Sequence, residues 1–361
     1  MRPFIANIGA CLLPISATVG EVVRCIDRAA VGIALLVDEE QRLLTTMTDG
    51  DVRRAMLNGV GLEQSVERLL EMKKLSAHPV PVSRSVDTSD EDLLNAMRSA
   101  QVQHIPLLDA EGRVVDVALL SSLVGSDGVE IRAVVMAGGF GARLRPFTDT
   151  TPKPMLPVGD KPLLERTIEQ LRAAGITDVN ITTHYLQDKI SKHFGTGEDF
   201  GVRLGYVQED RPLGTAGALG LLKKPQSTVL VINGDILTTI DFRAMAQFHR
   251  SNEADLTVAV RPYEFDVPYG VIDCDDLKVI AVREKPRIRF FVNAGIYLVE
   301  PSAWNFITEG ERLDMPQVIE RLLSANATVI SFPMREYWLD IGRPDDYQQA
   351  KDDVEAGRLE R

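Results

Sequence analysis

A glycine-rich turn with two arginines, Met136-Ala137-Gly138-Gly139-Phe140-Gly141-Ala142-Arg143-Leu144-Arg145-Pro146, is where the residue types first suggest chemistry. Glycines let backbone N–H groups close on an anion, and arginines add charge-assisted hydrogen bonds to it. The segment matches neither common glycine signature. Leu144 stands where G-x-G-x-x-G needs its last glycine, and no Gly-Lys-Ser/Thr follows. Shortly after, Thr151-Pro152-Lys153-Pro154-Met155-Leu156-Pro157 uses prolines to hold an extended stretch that presents Lys153. From Arg132 to Lys161 there are five basic and two acidic residues, a local +3 in a chain of formal charge −12. A basic patch set against the global charge points to phosphate ligands.

These loops need elements to carry them. From residue 131 strand-like and helix-like stretches alternate. Residues 131–136 are apolar and β-branched, 163–174 amphipathic, 179–182 branched, and 186–194 helical in pattern. Residues 202–208 alternate as a strand, 215–222 read as helix, and 228–232 as a buried strand. This order predicts an α/β fold, a Rossmann-like mixed and mostly parallel sheet with helices on both faces. Ligands then bind beyond the carboxyl ends of the strands, where the glycine turn falls.

Residues 1–128 read as a separate α/β module, with Ser126-Asp127-Gly128 as the boundary and 129–361 as the second domain. The module carries a weak internal repeat. Thr18-Val19-Gly20-Glu21 opens an amphipathic stretch, followed by a strand at 33–37 and the acidic turn Asp38-Glu39-Glu40-Gln41-Arg42-Leu43. About seventy residues later come Thr88-Ser89-Asp90-Glu91, a helical stretch, a strand at 105–108, and Asp109-Ala110-Glu111-Gly112-Arg113-Val114. In each copy Thr with Glu three residues on predicts a capping box, and the acidic turn predicts a hairpin.

Composition bounds the rest. A chain of 361 residues, 45% hydrophobic and 25% charged, is a soluble globular type long enough for two domains. Its acidity argues against a nucleic-acid partner. Cys11, Cys25 and Cys274 fit neither metal nor disulfide spacing, which predicts a reducing cytoplasm. The longest apolar run, 29–37, is too short for a membrane. Residues 1–17 faintly resemble a signal peptide ending in Ile15-Ser16-Ala17, but Asn7 and Pro14 interrupt the run, so a first strand and loop are expected.

The segment 138–157 resembles the signature of nucleoside-diphosphate-sugar pyrophosphorylases, the sugar-1-phosphate nucleotidyltransferases, and the resemblance continues in order over 131–350. Gln208-Glu209-Asp210-Arg211-Pro212-Leu213-Gly214-Thr215-Ala216-Gly217-Ala218 resembles that family's base-reading loop and following helix. Asn233-Gly234-Asp235 resembles its metal-binding Gly-Asp, and Trp338-Leu339-Asp340-Ile341-Gly342 its second metal carboxylate. Tyr269-Gly270-Val271, Glu284-Lys285-Pro286 and Val292-Asn293-Ala294-Gly295-Ile296-Tyr297 resemble its sugar-phosphate pocket.

The resemblance implies attack of a sugar-1-phosphate oxygen on the α-phosphorus of a nucleoside triphosphate, with release of pyrophosphate. Arg143, Lys153 and Asp235 would then be catalytic, the first two holding the triphosphate. Ala137, Gly138, Gly139 and Gly141 would cradle the nucleotide, with Gln208, Gly214 and Thr215 at the base. Lys285 would grip the sugar phosphate, while Gly270, Glu284 and Asn293 read sugar hydroxyls. Asp235 and Asp340 would hold Mg²⁺. Plainer readings stand beside these: a tight turn at Asp235, a surface lysine at Lys285, a turn cap at Asp340. No protein nucleophile is needed, and no Ser–His or Cys–His arrangement stands out. His184, His193 and His249 have no partner nameable from sequence, and Trp304 and Trp338 read as packing residues.

The first half resembles a pair of cystathionine β-synthase (CBS) domains over residues 8–125. Met47-Thr48-Asp49-Gly50-Asp51-Val52-Arg53-Arg54 looks like a segment in which Thr and the second Asp contact a nucleotide ribose. That implies Thr48 and Asp51 as ligands of a regulatory nucleotide; a helix cap is the alternative. The aligned residues of the second copy, Leu119 and Ser122, cannot make the same bonds. A CBS pair fused to this catalytic type resembles bacterial guanylyltransferases that make GDP-sugars, including GDP-glucosamine, for surface glycans. GTP, a sugar-1-phosphate and a homo-oligomer are therefore expected. The alternatives are a glucose-1-phosphate thymidylyl- or uridylyltransferase and a silent nucleotide-sensing subunit.

Overall fold

The computed structural model describes residues 8–29, 32–76, 78–124 and 131–359. The chain forms two compact units, Met1–Val129 and Glu130–Arg361. The expected boundary at 126–128 and the first seven residues of the signal-like stretch lie outside the described residues.

The first unit is one plan used twice. A turn at Ile8–Cys11 leads into β1 (Leu12–Pro14), α1 (Val19–Ala29), β2 (Ile33–Val37), β3 (Leu43–Thr48) and α2 (Asp49–Leu57). After α3 (Glu67–Lys73) the plan returns as β4 (Arg84–Ser85), α4 (Asp90–Ala100), β5 (His104–Leu108), β6 (Val114–Leu119) and α5 (Leu120–Val124). In both copies the first strand pairs parallel to the second and the second antiparallel to the third. A bulge falls at the same place in each, Leu36/Val37 and Leu107/Leu108.

An offset of 71 residues carries Ile33 onto His104 and Thr48 onto Leu119. It also carries Asp38 onto Asp109, and each of these closes its hairpin by accepting two backbone N–H groups. The same offset corrects the second cap. Thr18 and Glu21 form the expected box on α1. On α4 the cap is Ser89, whose hydroxyl accepts the Asp92 N–H, rather than Thr88 with Glu91. The copies exchange backbone bonds symmetrically, Leu43 N–H to Gly112 C=O and Val114 N–H to Gln41 C=O. Cys11, Ile33, Leu35 and Val37 meet Val114 and Val117 in a shared apolar core.

The second unit starts with β7 (Arg132–Met136), a small hairpin of β8 (Pro157–Val158) and β9 (Lys161–Pro162), then α6 (Leu163–Ala173), β10 (Asp178–Thr183), α7 (Gln187–Phe194) and β11 (Arg203–Gln208). Next come α8 (Gly214–Gly217), β12 (Val229–Asn233), β13 (Ile236–Thr238), α9 (Phe242–Ser251) and β14 (Leu256–Asp266). The hairpin of β15 (Val271–Asp275) and β16 (Lys278–Arg283) precedes β17 (Arg287–Val299), α10 (Met315–Ser324), β18 (Val329–Pro333), β19 (Trp338–Asp340) and α11 (Pro344–Glu355).

Seven of these strands form the central sheet, in the order β11-β10-β7-β12-β17-β14-β18. Only β17 runs against its neighbours, so the sheet is mixed and mostly parallel. Strands β7 and β12 are buried on both faces, which is why they read as continuous apolar runs. Alternate residues feed opposite layers: Ala133, Val135, Leu230 and Ile232 one core, Val134 and Val231 the other. The helix expected at 215–222 is shorter. It passes into a 3-10 turn at Ala218–Leu221, where Gly217 and Gly220 lie against the backbone of Glu311 and Thr308. No described helix is long and apolar enough to cross a membrane.

Candidate active site

Strands β7 and β12 are neighbours with Asn233 opposite Met136. The Gly234 N–H donates to the Met136 carbonyl at 2.9 Å, so the glycine turn and the Asn-Gly-Asp turn leave the sheet side by side. The Ala137 amide is already bonded to the Thr182 carbonyl at 3.0 Å, which leaves an anion to the residues after it. Gly138 lies against Glu209: a Cβ there would sit 2.3 Å from Glu209 Oε1. Gly141 has φ +63°, a conformation that favours glycine, and its carbonyl accepts the Thr148 hydroxyl at 2.8 Å. Gly139 differs from both, because a Cβ on it would meet nothing within 4 Å. The surface over Gly139 is open.

A charged floor lies beside this turn. Lys153, on the turn Lys153–Met155, is buried and ion-paired with Asp235. Strand β13 starts directly after Asp235 and pairs antiparallel with β19, which sets Ile236 opposite Asp340. The Ile341 N–H then donates to the Asp235 carbonyl at 3.0 Å. The two aspartates are thereby fixed next to each other. Burial of the Asp340 carboxyl raises its pKa above the usual carboxylate range, and the Asp235 charge adds to the rise; Lys153 and Arg143 oppose it. Arg143 is exposed on the turn Ala142–Leu144, with Nη1 4.0 Å from where a Cβ on Gly342 would stand. Arg143, Lys153, Asp235 and Asp340 therefore form one group.

Among the described residues no cluster of three or more His, Cys, Asp or Glu is arranged for a metal. Two adjacent carboxylates, one pushed toward protonation by burial and then by the other's charge, suit a hard cation that fills its remaining positions with water and phosphate oxygens. Asp235 and Asp340 fit Mg²⁺ in that sense.

The other expected residues fall at varying distances from this centre. Gln208 is exposed at the end of the edge strand β11. Thr215 is a clasp: its amide and hydroxyl donate to Asp314 Oδ1 at 2.8 and 3.3 Å, and its hydroxyl oxygen accepts the Met315 N–H at 3.0 Å. Gly214 backs onto the same Asp314. A Cβ on Gly270 would lie 3.1 Å from Glu284 Oε2, so those two residues are adjacent. Lys285 has φ +42° and precedes Pro286, a combination that a residue with a side chain rarely adopts. Asn293 is fixed at both ends, its Nδ2 donating to the Tyr297 hydroxyl and its Oδ1 accepting the Gly295 N–H. No hydrogen bond or ion pair among the described residues joins Glu284 or Lys285 to the Lys153–Asp235 pair.

In the first unit, Thr48 and Asp51 form a capping box on α2. Asp51 also takes Lys73 at 3.0 Å and Arg54 at 2.7 Å. Burial works to raise its pKa, but Lys73, the Thr48 amide and Arg54 together hold it below the usual range. The polar atoms of both side chains are engaged as a helix cap engages them.

The histidines do have partners. His184 Nδ1 bonds the Glu209 carbonyl at 2.7 Å, His193 bonds Glu165, and His249 lies between Thr257 and Glu300. Trp304 is buried in a core cluster, and Trp338 donates to the Ala294 carbonyl under Arg261. Sequence reasoning assigned no role to Glu209, which is 5% exposed and accepts the Leu213 N–H at 2.9 Å. Strand parity was the available signal: an outward Gln208 at the end of β11 turns Glu209 inward.

The pattern of the family described as Nucleotidyl transferase matches residues 132–357. A mannose-1-phosphate guanyltransferase of Yarrowia lipolytica is 34% identical over 231 residues, 60% of this chain and 62% of that protein. A D-glycero-alpha-D-manno-heptose 1-phosphate guanylyltransferase of Aneurinibacillus thermoaerophilus is 32% identical over 228 residues, 62% of this chain and 99% of that protein. A solved chain from Bacillus anthracis described as a glucose-1-phosphate thymidylyltransferase is 27% identical with a TM-score of 0.52, covering 64% of this chain and 96% of that one. The chain thus spans less than two thirds of the length of the Yarrowia relative. The matched residues contain the glycine turn, the charged floor and the mixed sheet that carries them, and by that match the chain belongs to the nucleotidyl transferase family.

Proposed function

We propose that the chain is a Mg²⁺-dependent sugar-1-phosphate guanylyltransferase that converts GTP and a sugar-1-phosphate into a GDP-sugar and pyrophosphate. The observation that carries this reading is the meeting of Arg143, Lys153, Asp235 and Asp340 at the carboxyl edge of β7 and β12. Two anionic substrates must be brought together there, so catalysis is mainly positioning and charge neutralisation.

Amides of residues 138–141 bind the nucleotide, with the open surface at Gly139 as the point of approach. Arg143 and Lys153 bind the triphosphate and stabilise charge on the departing pyrophosphate. Lys285, presented by its unusual backbone, takes the sugar phosphate, and Glu284, Asn293 and the backbone of Gly270 orient the sugar. Asp235 and Asp340 hold Mg²⁺, which when bound neutralises phosphate charge. The Yarrowia and Aneurinibacillus relatives, both guanylyltransferases by name, support guanine as the base. A sugar nucleotide for surface glycans is the product class that the domain arrangement favours.

For the first unit we propose a CBS-type pair that serves homo-oligomer formation more than nucleotide sensing. The duplicated plan supports the pair, and the engagement of Thr48 and Asp51 as a cap supports the structural role. Three free cysteines and a triphosphate substrate suit the cytoplasm.

The test is pyrophosphate release from GTP, dTTP, UTP and ATP, each paired with mannose-, glucosamine- and glucose-1-phosphate, with and without Mg²⁺. Turnover with GTP alone is expected. Turnover only with dTTP or UTP replaces the base, and none with any pair points to a silent nucleotide-sensing subunit.

A further inference from the structure

We propose that Glu209 is a positioning residue that locks the loop of residues 208–213 against the glycine turn, so that both loops present one nucleotide site. The proposal rests on reading the second unit as a nucleotidyltransferase.

Glu209 stands where three loops converge, those leaving the adjacent strands β11, β10 and β7. Its amide continues the β11–β10 ladder by donating to the Thr183 carbonyl at 2.9 Å. Its carbonyl accepts the His184 Nδ1–H at 2.7 Å, which ties down the loop after β10. One carboxyl oxygen accepts the Leu213 N–H and closes the loop of 208–213 on itself. The other lies so close to Gly138 that no side chain fits between them. His184 in turn meets the half-exposed Phe140 edge-on, with ring centroids 5.2 Å apart.

The carboxyl is buried, and among the described residues no lysine or arginine pairs with it. Burial pushes its pKa up, with the Leu213 amide, His184 and Thr182 opposing. Such a group costs stability unless its bonds are needed, and its bonds go to the loops that frame the nucleotide. Gln208 lies one residue away, so the position of the base-reading side chain follows that of Glu209.

The experiment compares Glu209→Ala, Glu209→Gln and His184→Phe by steady-state kinetics and by calorimetric binding of GTP. Glu209→Ala is expected to raise the KM and Kd for the nucleotide about tenfold or more, with kcat and the sugar-1-phosphate KM within about threefold. Glu209→Gln keeps an acceptor oxygen for the Leu213 N–H and is expected to restore nucleotide binding to within about threefold. His184→Phe keeps the edge contact to Phe140, loses the bond to Glu209, and is expected to raise only the nucleotide KM. A purely structural role would lower the active fraction and leave both KM values alone. An unchanged nucleotide Kd in Glu209→Ala overturns the proposal, as does a Glu209→Gln enzyme as impaired as Glu209→Ala. If Glu209→Ala does not fold, an unchanged nucleotide Kd in His184→Phe overturns it. Failure of the enzymatic reading looks different, since the wild type would bind GTP without releasing pyrophosphate.

Discussion

The Lys153 ammonium and the Asp235 carboxylate are ion-paired across 82 residues of chain, one on a proline-braced turn and the other on the turn that ends β12. Lys153 thereby supplies positive charge beside two carboxylates that would otherwise repel each other. It is also within reach of any phosphate that approaches those carboxylates.

Asp235→Asn tests the pair directly. It keeps the side-chain shape and removes the charge, so Mg²⁺-dependent pyrophosphate release should fall at least about 100-fold while circular dichroism stays unchanged. Activity retained in this variant would remove Asp235 from the metal site.

Two adjacent glycines should behave differently. Gly139→Ala meets nothing in the protein, so thermal melting should match wild type while the nucleotide KM rises about tenfold. Gly138→Ala must displace the Glu209 carboxylate and should cost about 1–3 kcal/mol of stability as well. Melting curves beside kinetics separate the two; equal melting temperatures would contradict the packing described at Gly138.

In the first unit, Asp51→Ala leaves the Lys73 ammonium without its carboxylate, in a place where the two side chains are 6% and 9% exposed. A loss of about 3 kcal/mol in the first unit's unfolding transition is expected, measured by denaturant titration. Adenine and guanine nucleotides should not shift that transition in the wild type. A saturable rise in melting temperature that disappears with Thr48→Ala would restore a ligand role there.

His249 gives the second unit a pH dependence. It is buried, with Nε2 3.0 Å from a Glu300 carboxylate oxygen and Nδ1 2.7 Å from the Thr257 hydroxyl, an arrangement that a neutral ring satisfies by donating to Glu300 and accepting from Thr257. Burial lowers its pKa below the usual 6.5, partly offset by Glu300. The unfolded chain therefore takes up the proton first as pH falls. The stability from this histidine is complete above about pH 6.5 and is lost as pH drops through the lower folded value. His249→Gln should cost about 1–2 kcal/mol near neutral pH, and the gap to wild type should narrow in acid. A constant gap across that range would show that His249 does not titrate in this window.

Much of the second unit was legible in its pattern, because β7 and β12 are short, largely apolar runs and β10 is rich in β-branched residues. Lys153, Asp235 and Asp340 were singled out through motif resemblance, which also implied one metal for the two aspartates, but the backbone contact that joins the aspartates was not legible. It depends on β13 and β19, three residues each, too short to carry a period and far apart in sequence. Thr215 was expected at the base, yet its clasp on Asp314 depends on a contact between residues 99 apart. In α4, Thr88 with Glu91 was expected as the cap, but Ser89 precedes Asp92 at the same spacing and is the residue that caps the helix.

The pairing of β13 with β19 also sets an order in time. The glycine turn, Lys153 and the loop of residues 208–213 are all made well before Asp340, which arrives on the last strand of the unit. The contact between Asp235 and Asp340 thus waits for nearly the whole of the second unit to be made, whereas the pairing of β7 with β12 needs only its first half.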